Sequence, residues 1–318
     1  MSLLILAVQA LLVLATGLLL WEALTVLRAR VPAQTRAVTV GDAAPASTAA
    51  VPKVLWTYWQ TAPAPDFVQA CLDNWRQHAP DHQVRLLDRS SVLQWLPELR
   101  ADFDTLPAYR QADWLRVQLL ARHGGIWMDA SMLLSRDLSW LHETQRRRAA
   151  DYVGFYIDRY TTRPELPIVE NWMMASVPGG RFVTALAEAF DNALDEGAEA
   201  LLARLEAEGR HGRVVQGLTE DFQRYLLMHV AASELLDRQP QLARLVLLRA
   251  EDGPFAWHAG VGWRKRHFFA RLALAPCPRM LPAVLKLRGG DRTVVARNWQ
   301  RGWVSPFSAL RHLLRRPQ

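Results

Sequence analysis

The polar residues able to do chemistry cluster in one stretch. Arg110, Asp113 and Arg116 recur at every third position, a spacing that stacks them along one helix face. Leu115 and Leu119 fall on another side, and His123 closes the helix where a cation suits its dipole. Gly124 supplies the left-handed residue that ends helices. An apolar run of strand length, residues 126–134, follows and is interrupted only by Asp129 and Ser131. Alternation along a strand points those two side chains the same way, roughly 6.5 Å apart. An unpartnered buried carboxylate is costly, so Asp129 must accept hydrogen bonds, pair with a cation or bind a metal ion. Two readings stand side by side. Asp129 caps the next turn, or it sits at the carboxyl end of a strand in an open α/β sheet, where ligands bind.

The surrounding elements must hold that stretch in place. Residues 51–60 open a globular part with a buried strand, and residues 61–65 make a turn. Asp66 reads as the N-cap of a helix running to His78 and stopped by Pro80. A second short strand spans residues 84–87, and Ser90-Ser91 opens another helix. Residues 151–156 read as a strand, while Phe182, Leu186, Phe190 and Ala193 follow helical spacing. The acidic stretch 195–208 reads as a solvated helix face, and Tyr225 and His229 as packed neighbours at i and i+4. Strands alternating with helices give an α/β fold with a parallel, Rossmann-like sheet. No G-x-G-x-x-G follows the first strand, which argues against a dinucleotide site of that kind.

The two ends differ from the middle. Residues 3–21 are almost wholly apolar and carry no charge, long enough to cross a hydrocarbon layer of ~30 Å. No basic residue precedes them and no small-residue cleavage site follows, so they read as a permanent anchor. Arg28, Arg30 and Arg36 just after the span place the body in the cytoplasm by the positive-inside rule. The expected division is an anchor at 1–31, a linker at 32–50, an α/β domain at 51–290 and a basic amphipathic tail at 291–318. The linker expectation rests on residues 38–51, rich in Ala, Thr, Ser and Pro. In the tail, Phe307, Leu310 and Leu314 share one helical face among arginines. That face either lies on an anionic leaflet or docks onto its own domain. A net charge of +7 fits a body held against such a leaflet. The dispersed arginines form no nucleic-acid recognition motif. Cys71 and Cys277 match no metal or redox spacing.

Arg110-x-x-Asp113-x-x-Arg116-x-x-x-Leu120-x-x-x-Gly124-Gly125-x-Trp127-x-Asp129 resembles the signature of the capsular polysaccharide synthesis proteins. It is also similar to related glycosyltransferases whose sugar-binding region carries a DXD motif. The Val51-Pro-Lys-Val-Leu-Trp56-Thr-Tyr58-Trp59 opening, residues 168–176, Gly253-Pro254 and Leu285-Lys286 carry the resemblance further. It implies a GT-A-like, nucleotide-diphospho-sugar fold at the inner (plasma) membrane. The implied reaction is sugar transfer, with retention, from a nucleotide diphosphate to a polysaccharide or lipid-linked acceptor. Arg110, Asp113 and Arg116, with Gly124 and Gly125, would hold the nucleotide sugar. Trp56, Tyr58 and Trp59 would stand beside the base, although such aromatics read equally well as core. Asn171 would line the sugar pocket, and Lys286 would neutralise diphosphate charge. Asp129, Ser131 and His258 would hold manganese or magnesium. Ser131 stands where the motif has its second Asp, and a hydroxyl brings no charge. That leaves room for a non-catalytic relative binding glycan or a partner at the membrane. A metal phosphodiesterase built on Asp113 and Asp129 would want His and Asp clusters that the sequence lacks.

Overall fold

The computed structural model describes residues 3–314. Helix α1 (Leu3–Arg28) stands largely clear of the body and exposes a nearly continuous apolar surface. Among the described residues it is the one helix long and apolar enough to cross a membrane.

The chain then lays down β1 (Ala37–Val40), β2 (Val54–Tyr58), α2 (Asp66–His78) and β3 (Gln83–Leu87). Helix α3 (Ala108–His123) leads through Gly124 into β4 (Gly125–Met128) and β5 (Met132–Leu134). Helix α4 (Ser139–Arg148), β6 (Tyr152–Tyr156) and β7 (Val169–Ser176) follow. A helical layer comes next: α5 (Arg181–Glu196), α6 (Ala198–Ala207), α7 (His211–Val215), α8 (Glu220–Tyr225) and α9 (Leu227–Arg238). The last part holds β8 (Leu245–Arg249), α10 (Ala256–Gly260), α11 (Lys265–Phe269), β9 (Val284–Lys286), α12 (Gly289–Gln300) and α13 (Ala309–Leu313).

Seven strands form one sheet in the order β1-β8-β6-β7-β4-β2-β3, and β5 pairs with β9 in a second, two-stranded sheet. The α/β class is as expected, but the main sheet is mixed. Strands β2, β3 and β4 are parallel, as are β6 and β8, whereas β7 runs antiparallel to both its neighbours. The connection from β6 to β7 contains only one short 3-10 turn, Asp158–Tyr160. Without a crossover helix, the returning strand pairs antiparallel.

Two other expectations change. Residues 126–134 are not one strand: Met132 N–H donates to Asp129 O at 3.0 Å, making a turn in which β4 leaves the main sheet and β5 turns to β9. Asp129 and Ser131 therefore sit on the turn. Residues 38–51 are not all tether either. Val38, Thr39 and Val40 belong to β1, which pairs antiparallel with β8, and Val40, Ala44 and Val51 are buried. β-Branched side chains suit a half-covered edge strand, and β8 would otherwise expose that edge. Asp66 is the first residue of α2, preceded by Pro65, rather than its cap.

Gly124 and Gly125 fit the corner between α3 and β4. Both have positive φ (63° and 97°). A Cβ at Gly124 would lie 2.6 Å from Pro178 N, and one at Gly125 would lie 2.9 Å from Trp56 Nε1. Only glycine combines that backbone with that closeness.

The main core lies between the sheet and its helices and is built on residues such as Leu55, Trp127, Tyr152, Phe182 and Phe190. A second core sits against β5 and β9 and includes Phe67, Trp257, Phe268, Leu285, Leu310 and Leu313. The tail thus docks through α13 onto its own domain, while Phe307 stays 75% exposed. Arg315 and Arg316 lie outside the described residues.

His258 is buried in that second region. Its Nε2 lies 3.0 Å from Asp291 Oδ2 and its ring stacks on Phe268. Burial pushes His258 from 6.5 down to about 4 despite the bond to Asp291. Half-buried His142, beside His82, is likewise pushed down to about 4, first by burial. Between pH 6.5 and 4 the unfolded chain binds these protons and the folded chain does not, so stability falls as pH falls through that window. His258 alone accounts for on the order of 3 kcal/mol. The urea midpoint at pH 4.5 is expected well below that at pH 7, with a shallower decline in His258→Gln. A midpoint independent of pH would contradict it.

Candidate active site

A cavity of about 780 Å³ opens along one edge of the main sheet. That volume lies within the range of small-molecule and cofactor pockets. It collects the carboxyl ends of parallel strands, as open α/β sheets do. β2 delivers Tyr58, Trp59, Gln60 and Thr61, β4 delivers Asp129, and β6 delivers Ile157, Arg159 and Tyr160. Antiparallel β7 brings Glu170, Asn171 and Trp172 to the same edge from its amino end.

One chain of alternating charges runs from Arg110, just behind the cavity, along its wall. Arg110 Nη1 lies 3.5 Å from Asp113 Oδ2, and Arg116 Nη2 lies 3.2 Å from Asp113 Oδ1. The same Nη2 is 3.3 Å from Asp129 Oδ1, and Lys286 Nζ donates to Asp129 Oδ2. Asn171 Nδ2 donates to Asp113 at 3.0 Å, and Arg116 Nη1 to the Asn171 carbonyl at 2.6 Å. Trp127 Nε1 donates to Asp129 at 3.1 Å, and the Arg116 guanidinium lies over the Trp127 ring at 5.0 Å. Lys286 arrives because β9 pairs with β5 in a register that sets it opposite Met132, three residues past Asp129.

The two acids are tuned in opposite directions. Burial raises the Asp113 pKa above its usual value, and Arg116 and Arg110 only partly oppose it. Burial would also raise Asp129, but Lys286 and then Arg116 outweigh it and hold the carboxyl below the ordinary range. Asp129 is therefore fixed as an anion. It keeps 27% of its side chain exposed, against 10% for Lys286 and 5% for Arg116.

Of the residues singled out from sequence, Tyr58, Trp59, Asp113, Arg116, Asp129, Ser131, Asn171 and Lys286 line the cavity. Arg110 stands one step behind, donating to the Arg224 carbonyl at 2.8 Å. Trp56 is core: its Nε1 donates to Gly124 O at 2.9 Å and its ring meets Trp95 edge-on. Gly124 and Gly125 shape the corner behind it and do not line the cavity. His258 is not among the lining residues either, being held by Asp291 in the second core.

The side chains of this cavity offer manganese or magnesium few ligands of their own. A hard divalent ion needs several oxygen ligands, most of which would have to come from substrate phosphates and water, and Asp129 already faces two cations. Among the described residues no group of three His, Cys, Asp or Glu could hold a metal ion. With His258 elsewhere, Ser131 offers only a neutral oxygen beside a carboxylate already paired with Lys286 and Arg116.

Several lining residues escaped sequence reading. Arg159, Arg288 and Arg292 add to Arg116 and Lys286, giving five Lys or Arg on the wall against Asp113, Asp129 and Glu170. Such a balance suits an anionic ligand. Arg288 and Arg292, at i and i+4, were legible as one basic turn at the start of α12. Arg292 also lies over the Trp59 ring at 5.0 Å. His229, read as packed, lines the cavity with its Nε2 3.2 Å from Glu170.

Several known proteins are similar to this chain. O-glycosyltransferase braB of Annulohypoxylon truncatum is 29% identical over 163 residues, 45% of this chain. The match spans only 38% of that relative's length. Among solved structures, the PaToxG glycosyltransferase aligns at 12% identity and TM-score 0.33, covering 83% of this chain and 90% of that one. The apo-form glycosyltransferase GlyE of Streptococcus pneumoniae TIGR4 aligns at 10% identity and TM-score 0.36, covering 80% and 65%. The family model of capsular polysaccharide synthesis proteins matches residues 34–195, just over half of the 318 residues, from β1 through α5. That span contains Arg110, Asp113, Arg116, Asp129 and Asn171, and on it the chain belongs to the capsular polysaccharide synthesis protein family.

Proposed function

We propose that this chain is a membrane-anchored glycosyltransferase moving a sugar from a nucleotide diphosphate to a surface polysaccharide or lipid-linked acceptor. The observation that carries this reading is the Arg116–Asp129–Lys286 arrangement on the wall of a basic cavity at the strand ends. A diphosphate set against Lys286 and Arg116 gains negative charge as the sugar departs. Cations already fixed in place stabilise that charge without reorganising. Asp129 holds both cations in position, and Asp113 with Asn171 orients the donor. Trp59, beneath Arg292, offers a face for the base. Lys286 and Arg116 take up the charge that develops on the leaving group. Retention at the anomeric carbon follows the family resemblance. Arg28, Arg30 and Arg36 support a cytoplasmic body behind a single span in the plasma membrane.

One observation favours the non-catalytic alternative. Ser131 supplies no second carboxylate, and both acids are already satisfied internally. Turnover separates the two readings. Purified full-length protein is incubated with a panel of nucleotide-diphosphate sugars in chelator, reading thermal shift and release of nucleotide diphosphate. The glycosyltransferase reading expects at least one donor to shift the melting temperature and be consumed. A donor that binds without consumption in either chelator or manganese would favour the binding relative.

Asp113→Asn refines the test. Because the fold pushes Asp113 toward its neutral form, an isosteric neutral side chain should leave the melting temperature within a few degrees. Transfer should fall by on the order of 100-fold as the donor loses its orienting group. Wild-type activity in Asp113→Asn would remove that residue from the donor site.

A further inference from the structure

The base of α1 is joined to the body. Glu22 is held by His267 and by Arg266, the latter at 2.8 Å, and the Arg264 guanidinium lies 5.7 Å from the Trp21 ring centroid. One turn further, Val26 and Ala29 are buried, and Arg271 Nε donates to Ala29 O at 3.1 Å. If α1 spans the bilayer as proposed, residues 3–21 rise about 28 Å, which matches the hydrocarbon layer. The membrane surface then lies level with Trp21 and Glu22, and α11 lies on it.

The chain beyond α11 carries apolar side chains that the fold leaves uncovered. A π-helical turn, Ala270–Leu274, ends at Leu274, 50% exposed. Its continuation runs beside the segment before α13: Ser305 N–H donates to Ala273 O and Cys277 N–H to Phe307 O, at 2.9 and 2.8 Å. Trp303 and Phe307 are 63% and 75% exposed there, and Met280 is 55% exposed just beyond. Polar loops rarely present four such side chains together. Charge supports the same partner. Residues 253–318 hold thirteen Lys or Arg and the single acid Asp291, a formal +12 in a chain totalling +7, so residues 1–252 sum to −5.

We propose that this face is a second membrane contact. Leu274, Met280, Trp303 and Phe307 enter the headgroup–acyl boundary of an anionic leaflet beside α1, with exposed Arg264, Lys265, Arg279 and Arg301 among the lipid phosphates. Tryptophan and phenylalanine suit that boundary, and each basic residue near an anionic surface adds attraction. Helix α12 runs from the cavity, at Gly289 and Arg292, toward Trp303. Its ~18 Å length keeps the cavity within reach of acceptors held at the membrane. The proposal rests on α1 being a span, and the test separates the two.

Full-length protein with Cys277→Ser receives one spin label at a time, at Phe307→Cys, Trp303→Cys, Val13→Cys or Glu206→Cys. Cys71 is fully buried and needs no replacement. The labelled chains are placed in nanodiscs of mixed phosphatidylcholine and phosphatidylglycerol. Collision with oxygen is compared with collision with a water-soluble nickel chelate. Labels at 303 and 307 are expected to favour oxygen, approaching the label at 13 in α1 and unlike the one at 206, exposed on α6. Phosphatidylcholine alone should make 303 and 307 shallower. Nickel-accessible labels at 303 and 307, with 13 inside the bilayer, would overturn the second contact and leave the span standing. If 13 is aqueous too, the span fails and the proposal with it. Equal depth in neutral and anionic lipid would overturn the anionic leaflet as the partner.

Discussion

Lys286→Met is expected to turn over donor on the order of 10²–10³ more slowly than wild type. Methionine nearly keeps the side-chain length and stays apolar in a site where Lys286 is only 8% exposed, so packing changes little. What disappears is the cation bonded to Asp129 Oδ2 and aimed into the cavity. If that cation acts mainly as the diphosphate departs, kcat falls far more than donor affinity. Lys286→Arg should recover part of the rate, because it restores charge but not the compact geometry of an ammonium. Steady-state kinetics with one accepted donor, analysed as separate kcat and KM, checks this. A Lys286→Met enzyme within about threefold of wild type would take Lys286 out of the chemistry.

Asp129→Ala is expected to fold poorly as well as to lose transfer. In the native state Asp129 accepts from Lys286, Arg116 and Trp127, and its lowered pKa says that the fold favours the anion. Removing it leaves the mostly buried Lys286 without its carboxylate and Arg116 with Asp113 as its remaining acid. Loss of one partner of a buried pair costs about 3–5 kcal/mol, and the open cavity moves this case to the low end. A melting temperature lower by roughly 6–10 °C follows for a domain of this size. Asp113→Asn, whose native pKa is raised, is the contrasting case and should barely move it. Calorimetry of the two variants side by side is decisive. Equal melting temperatures would mean that the two carboxylates are not differently tuned.

Much of the site was legible where the residues are close in sequence. The three-residue spacing of Arg110, Asp113 and Arg116 and the glycine after His123 placed α3, its end and its charged face correctly. Asp129 was legible as a residue beyond a strand end, because an acid is costly anywhere inside that apolar run. Its setting was not. The turn at Asp129 arises because β5 leaves to pair with β9, a partner whose Lys286 is 157 positions away. Local pattern carries no record of such pairing. His258 failed for the same reason, since its partner Asp291 lies 33 residues on. Trp56 and Trp59 look alike in sequence, yet β2 buries the first against Trp95 and carries the second past its end to the cavity. Edge strand β1 was hidden by composition: alanine, serine and proline nearby masked three β-branched residues that only β8 could complete.

We propose that fixed side-chain cations, Lys286 and Arg116, stabilise the departing diphosphate in this cavity. The most direct test is transfer of a labelled sugar from an accepted nucleotide diphosphate by the full-length protein in detergent, with and without excess chelator. Lys286→Met is measured alongside. The prediction is an unchanged wild-type rate in chelator and a loss of on the order of 10²–10³ in Lys286→Met under both conditions. Wild-type turnover that vanishes in chelator and returns with manganese, while Lys286→Met stays near the wild-type rate, would contradict it.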